Sequence, residues 1–433
     1  AGAPGLREAM APKKRVPVKA AEPSAPKPSG DAARAPEPAQ AAEASKGRLG
    51  GQLGNNLKMG LLGLPNAGKS ATFNVLVKDA PVPTSTSPFC TTEPNDATVP
   101  IPDARVEKLQ EVFKPKAVIM PTLKLWDLPG LVPNAHEGKG LGSAFLSSIA
   151  GADALYHVCR AFPGDDPAVA HTEGEVDPVR DLEIVRKELI MKDLATLHKP
   201  IDEIESKWRQ NPRLKDGKEE YDAFVKAKET LNSNVLLVSR QDWTAKELQV
   251  LKPLQLLTAK PGVYLVNLSE KDFARQKNKF LPKIAQWVAE RGGGPIVPYS
   301  ADFEARLANL GSEEARQKYM QDVGAKKSMM ERIFRTGYEV LGLHHFFTCG
   351  PEEVRAWTIP QGAKAAEAAG TIHPDMEKGF ICMELYKFAD LQEHGDEAAV
   401  KAAGRFAQKS KDYVVEDGDI AFIKFTLAAK AKA

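Results

Sequence analysis

A parallel α/β sheet domain, interrupted by a long helical arm and followed by a small α+β domain, is the fold class that three observations predict. Short apolar runs recur at 57–62, 123–126, 154–158, 263–266 and 295–298, separated by helical patterns. Strands alternating with helical segments indicate a parallel sheet covered on both faces. Between the third and fourth runs lies a charged segment in which Ile190, Leu194, Leu197, Ile201, Ile204 and Trp208 alternate spacings of four and three. From Leu343 onward the pattern shifts to short β-like runs split by glycine and Asp/Pro turns.

The length of 433 residues exceeds one ordinary core and predicts two or three domains. The sheet domain is read over 51–165 and 261–342, the arm over 166–260, and the α+β domain over 343–426. A basic tail, 427–433, closes the chain. The heptad-like stripe reads as a coiled-coil arm, with Pro200 placing a kink or a fresh helix start inside it. An amphipathic helix lying on the same domain is the alternative. In the C-terminal part, β-like runs at 354–359, 380–385, 413–415 and 420–425 enclose a helical stretch at 396–407.

Residues 1–50 are Ala-, Pro-, Lys- and Ser-rich, with nine basic and five acidic side chains. They bury too little apolar area to offset ordering entropy and are expected to be disordered. Five acids fit poorly with an organelle-targeting peptide, an alternative that stays open beside cytoplasmic residence. No apolar stretch approaches the roughly 18 residues of a membrane helix. A net charge of +2 argues against wholesale coating of nucleic acid, while allowing a local basic face. Cys90, Cys159, Cys349 and Cys382 are scattered without metal-ligand spacing, which suits free thiols in a reducing compartment.

The strongest chemical signal is Gly63-Leu64-Pro65-Asn66-Ala67-Gly68-Lys69-Ser70, a G-x-x-x-x-G-K-S loop between a strand and a helix. Glycines let successive N–H groups and the helix N-terminus point at phosphates. Lys69 is expected to reach the β- and γ-phosphates, and the Ser70 hydroxyl to ligate Mg²⁺. Asp127-Leu128-Pro129-Gly130 ends the next strand; Asp127 is expected in the Mg²⁺ shell through water, and the Gly130 N–H near the γ-phosphate. Between them, Phe89-Cys90-Thr91-Thr92 stands where a switch loop supplies a threonine to the metal: Thr91 first, Thr92 as the fallback.

In GTP-binding relatives of this loop, a fourth motif reads Asn-Lys-x-Asp, and its Asp accepts two hydrogen bonds from guanine. Here the strand at 263–266 ends in Asn267-Leu268-Ser269-Glu270. Leu268 lacks the cationic stem that covers the base, and Glu270 displaces the acceptor by one methylene. A poorly met guanine donor pair costs about 1–3 kcal/mol, whereas adenine offers an N6 donor to Asn267 or backbone carbonyls. ATP is therefore the expected nucleotide. Tyr299-Ser300-Ala301 matches the fifth, base-contacting loop through Ser300. Leu131 stands where Ras-like enzymes carry a water-orienting Gln, so water must be positioned otherwise. His136, in the glycine-rich loop 134–142, is the candidate.

The run Pro88-Phe89-Cys90-Thr91, Ala135-His136, Asn267 to Glu270, Val176-Asp177-Pro178-Val179-Arg180-Asp181, Phe346-Phe347-Thr348 and Glu353 to Ile359 together resemble the Obg-like ATPase (YchF) family, most nearly its eukaryotic form. The resemblance covers about 48–425. It implies a GTPase-like domain with a coiled-coil insertion and a terminal TGS domain, and ATP preference with Leu268 contacting adenine. It also implies His136 as the flexible catalytic histidine, Asn66 as the asparagine of K⁺-assisted hydrolysis, and association with ribosomes in translation and stress responses. Two departures stand out. Pro129 replaces a usual Ala and stiffens the switch hinge, and Ala71 lacks the hydroxyl that donates to the α-phosphate, which predicts weaker nucleotide affinity.

Two functions follow. One is a slow Mg-dependent ATPase; the other is a nucleotide-gated ribosome- or RNA-binding protein in which hydrolysis resets binding. Arg355, His373 and Lys378 are the candidate RNA-facing side chains of the C-terminal domain. Oligomeric state is not legible.

Overall fold

The run Leu57–Leu62 is apolar at nearly every position, and it forms a central strand flanked by partners on both sides. The computed structural model describes residues 57–77, 95–131, 134, 149–163, 171, 174–211 and 216–426. The tails 1–50 and 427–433, with the expectations attached to them, lie outside these residues.

In chain order, β1 (Leu57–Leu62) leads to α1 (Lys69–Val77), β2 (Asn95–Pro100), α2 (Ala104–Phe113), β3 (Ala117–Ile119), β4 (Thr122–Asp127) and β5 (Ala154–Arg160). The arm follows as α3 (Pro178–Gln210), α4 (Lys218–Asn232) and α5 (Ala245–Leu251). The chain returns through β6 (Gly262–Asn267), α6 (Glu270–Arg275), α7 (Leu281–Glu290), β7 (Ile296–Tyr299), α8 (Ala301–Ala308), α9 (Glu313–Val323) and α10 (Met330–Leu341). It ends in β8 (Leu343–Cys349), β9 (Glu353–Pro360), α11 (Ala365–Ile372), α12 (Pro374–Lys378), β10 (Phe380–Lys387), α13 (Phe388–His394), α14 (Glu397–Ala402), β11 (Ala407–Lys409) and β12 (Asp419–Phe425).

The first sheet has the order β2-β4-β1-β5-β6-β7. All neighbours are parallel except β2, which runs antiparallel to β4. The five apolar runs are its parallel strands. β2 is an edge strand of sequence NDATVP with a largely exposed face, so no apolar run announced it. One face of the sheet is covered by α1 and α10, which join Leu61, Phe73, Tyr156, Val263, Ile333 and Phe334 in one core. The other is covered by the start of α3 and by α7. β4 lies on one side of β1 and β5 on the other, and the crevice beside the β1 carboxyl end is where open α/β sheets bind ligands.

Neither sequence reading of the arm is complete. Leu182, Val185 and Leu189 of α3 pack onto the sheet domain, as an amphipathic helix would. Farther along, Ile190, Leu197, Ile201 and Ile204 form a separate core with Phe224, Ala227 and Leu231 of α4 and with Trp243, Leu248 and Leu251. α3 continues unbroken through Pro200, so no fresh helix starts there. The stripe on either side of Pro200 is buried in one core, and that burial outweighs the roughly 3 kcal/mol propensity cost of an interior proline.

The second sheet has the order β11-β10-β12-β8-β9-β3. Its outermost strand, β3, comes from within the span that the sequence assigned to the first domain; it pairs in parallel with β9. Val106 and Leu109 of α2 pack beneath the same sheet, with Phe347, Val354, Tyr386 and Ile420, while α11 covers the opposite face. Residues 413–415 are not a strand: Val414 forms one isolated bridge with Lys364. The helix expected at 396–407 spans only Glu397–Ala402, and Gly404, at φ +69°, turns the chain out of it.

Arg105 ties the two sheets together. Its guanidinium donates to Asp103 at 2.8 Å and to Asp417 at 2.9 Å, and lies 5.0 Å from the Phe347 ring centre. Burial would raise the Asp103 pKa, but hydrogen bonds from His345 and Arg105 and the Arg105 charge hold it well below the ordinary range. Arg105→Ala is expected to lower stability by about 1–3 kcal/mol, the scale of charge-assisted hydrogen bonds, seen as a lower urea midpoint. An unchanged midpoint would show that the joint rests on apolar packing alone.

Candidate functional site

The loop Gly63–Ser70 passes from the carboxyl end of β1 into α1, and close approach explains its glycines. A Cβ on Gly63 would lie 2.5 Å from the Val158 carbonyl oxygen, and one on Gly68 would collide with the Asn267 amide. Gly68 also sits at φ +96°, a region that side chains disfavour. Asn66 adopts φ +59°, one of the few non-glycine types that tolerates it. Ala67 is buried and its carbonyl accepts from Asn267 Nδ2 at 3.2 Å. Lys69 is buried, with Nζ donating to the Leu64 carbonyl at 3.0 Å. Ala71, where a hydroxyl was missed, packs on the apolar core under the loop.

Two expected metal-site residues meet. Ser70 Oγ donates to Asp127 Oδ2 at 2.6 Å. Asp127 is 0% exposed, and its Oδ1 has no hydrogen-bond partner. Burial raises its pKa, opposed by the Ser70 hydroxyl and the Lys69 charge. A buried carboxylate oxygen left over beside a serine hydroxyl fits a hard, oxygen-seeking cation such as Mg²⁺. After Asp127 the chain crosses the phosphate loop: Leu131 N–H donates to the Gly63 carbonyl at 3.0 Å, and a Cβ on Gly130 would lie 2.8 Å from Pro65 Cγ. Leu131 is buried in the core with Leu62, Leu64 and Leu128, so the side chain at the position of the Ras-like glutamine is spent on packing.

Thr91, Thr92, His136 and most of the glycine-rich loop lie outside the described residues. Asn134, at the entry to that loop, donates its N–H to Glu188 Oε1 of α3 at 2.7 Å.

The base-reading residues make contacts that the sequence did not specify. Asn267 was to accept from adenine, but its Oδ1 accepts the Ala301 N–H at 3.0 Å while its Nδ2 serves the phosphate loop. It braces two loops. Leu268 was to contact adenine; it is 2% exposed and packs with Val266, Ile284 and Trp287, because the residue after β6 turns into the core behind the loop. Glu270 opens α6 and accepts from Arg306 at 2.8 Å. Ser300 is buried and caps α8 by accepting from the Phe303 N–H at 3.4 Å. Tyr299, beside it, shares a hydrogen bond with the Thr72 hydroxyl of α1.

Sequence reasoning missed Arg160, at the end of β5. It is 1% exposed, and its NH1 donates to the Asn66 carbonyl at 3.4 Å. A charged residue closing an apolar strand at the ligand-binding edge of the sheet was the available signal.

The proposed RNA-facing residues do not form one patch through any described contact. The Arg355 guanidinium lies 3.8 Å from the Trp357 ring centre, and His373 caps α12 by accepting from the Asp375 N–H at 3.1 Å. Lys378 ends α12. Among the described residues no helix is long and apolar enough to cross a membrane, and no cluster of three His, Cys, Asp or Glu forms a metal site.

Residues 58–199 match a family model described as "50S ribosome-binding GTPase". Residues 343–426 match the YchF-GTPase C-terminal model, described as "Protein of unknown function (DUF933)". The chain is 48% identical over 390 residues to Obg-like ATPase 1 of Caenorhabditis elegans, covering 90% of this chain and 97% of that protein. It is 46% identical over 382 residues to Obg-like ATPase 1 of Oryza sativa subsp. japonica, covering 88% and 95%. The solved Schizosaccharomyces pombe YchF GTPase aligns with a TM-score of 0.71 and 39% identity, over 87% of this chain and 99% of that one. With a phosphate loop, its Ser70–Asp127 pair and two matching domains, this chain belongs to the Obg-like ATPase (YchF) family of P-loop nucleotide hydrolases.

Proposed function

We propose that the chain is a slow ATPase, preferring ATP to GTP, whose nucleotide state controls docking on the ribosome in translation or stress responses. The observation that carries the hydrolytic reading is the Ser70–Asp127 pair with Asp127 Oδ1 left over beside it. Ser70, Asp127 (through water) and Thr91 are the residues proposed to hold Mg²⁺. When bound there, Mg²⁺ neutralises charge on the β- and γ-phosphate oxygens.

The protein's own part is positioning. Backbone N–H groups at the start of α1 and the Lys69 ammonium hold the phosphates. Leu131, turned into the core, leaves the attacking water to another group, and His136 is proposed to orient it. Asn66 is proposed to carry K⁺, adding positive charge where negative charge develops. ATP preference is supported by Glu270, whose carboxylate already accepts from Arg306, and by the absence of a lysine at Leu268. Competition of ATP and GTP for the purified chain tests it, and a preference for GTP would overturn it.

Ribosome docking is supported by the match of residues 58–199 to the 50S ribosome-binding GTPase family and by the α2–β3 excursion. That segment joins β2 to β4, which ends at Asp127, and it is built into the C-terminal sheet. Movement at the phosphates therefore has a covalent route to the second domain. His136→Ala is expected to keep ATP binding and ribosome pelleting while turnover falls by about 10²-fold or more, the scale of a lost proton-handling or water-orienting group. Pelleting that is identical with ATP, ADP and no nucleotide would remove the gating.

A further inference from the structure

Arg160 is a fully buried cation whose hydrogen-bonding capacity is mostly unspent. It pairs in register with Asn267 across β5 and β6, so it stands at the same end of the sheet as the phosphate loop. NH1 reaches the carbonyl of Asn66, and the guanidinium lies 4.6 Å from the Phe162 ring centre. Nε and NH2 are both buried without a hydrogen-bond partner. Burial depresses the guanidinium pKa, and the negative charge of Asp181 opposes that only in part.

A buried guanidinium with unmet donors is unfavourable unless something completes it. Asn66 is the residue at which the phosphate loop bends through φ +59°, and the ligand of that loop is a polyanion.

We propose that Arg160 is a positioning residue for the nucleotide: it holds the phosphate loop at Asn66, and its remaining N–H groups are completed by an oxygen of the bound phosphates. The proposal rests on the nucleotide-binding reading of the loop. An arginine doing only structural work and one completed by ligand predict opposite results when it is removed.

The test uses the full chain with Arg160→Met, which keeps length without charge, and Arg160→Lys, which keeps charge without the fork. Thermal unfolding is measured without nucleotide, and binding of ATP, ADP, inorganic tripolyphosphate and adenosine is measured by calorimetry. Arg160→Met is expected to melt no lower than the native chain, yet to bind ATP, ADP and tripolyphosphate at least tenfold more weakly. Adenosine binding is expected to be unaffected, and Arg160→Lys to recover part of the loss. An Arg160→Met chain that melts lower but binds ATP within twofold of native would overturn the proposal, as would a loss seen only with adenosine. A native chain that binds none of the phosphate ligands would instead defeat the nucleotide reading itself.

Discussion

Asp127→Asn is expected to reduce ATP turnover by about 10²–10³-fold at saturating Mg²⁺, the loss that follows when a preorganised charge-stabilising group is removed. The change is nearly isosteric, so packing is kept. Asp127 closes β4, is inaccessible to solvent, and accepts the Ser70 hydroxyl through one oxygen while the other has no partner. An asparagine there loses the negative charge that a divalent cation needs and can present an N–H₂ to it. Loss of the carboxylate charge is expected to weaken Mg²⁺ binding, and with it the Mg·ATP complex, as well. The check is steady-state phosphate release across a Mg²⁺ titration, with thermal unfolding as control. Turnover within tenfold of native would place the metal elsewhere.

Asp193→Ala is expected to cost about 3–5 kcal/mol of stability, the cost of leaving several buried donors unmet. Asp193 sits on α3 and is almost wholly buried. It accepts the Leu257 N–H at 2.8 Å, the Thr258 N–H at 2.7 Å and the Thr258 hydroxyl at 2.6 Å. These bonds hold the short turn Leu257–Ala259 that carries the chain from the arm back to β6. Burial pushes the carboxyl up to about 6, against the bonds it accepts. Its folded pKa thus exceeds the unfolded value, so between roughly pH 4 and 6 the folded chain holds a proton that the unfolded chain has released. This group's contribution is fullest below that window and declines as pH rises through it. Asp193→Ala should flatten that slope, in urea titrations at several pH values, as well as lower the midpoint. A midpoint within 1 kcal/mol of native, on the same scale of buried polar losses, would mean that the turn holds by packing.

The parallel strands were legible because each is mostly apolar, and in β1 and β5 the buried residues fall on both faces. β2 was not, since an edge strand with one open face needs no apolar run. The heptad stripe correctly marked one face of α3. It could not say that Leu182 to Leu189 pack on the sheet domain while Ile190 onward packs on α4, because periodicity names a buried face and not its partner.

At the site, Gly63 to Ser70 and Asp127 were legible because phosphate binding uses backbone geometry that a few residue types impose locally. Asn267, Leu268 and Glu270 were legible as departures from a GTP-reading motif, but their contacts were not: two turn to Ala301 and Arg306, and Leu268 turns into the core. Arg160 went unseen because nothing within β5 reports that Asn66, 94 positions earlier, lies against it. The sequence by itself determined the phosphate loop, the parallel sheet and the order of domains, since each depends on local backbone preference and the period of apolar residues. Only the tertiary structure decided which polar atoms are spent on one another and which, at Asp127 and Arg160, are left without a partner. Long-range pairing sets that balance, and no local pattern encodes it.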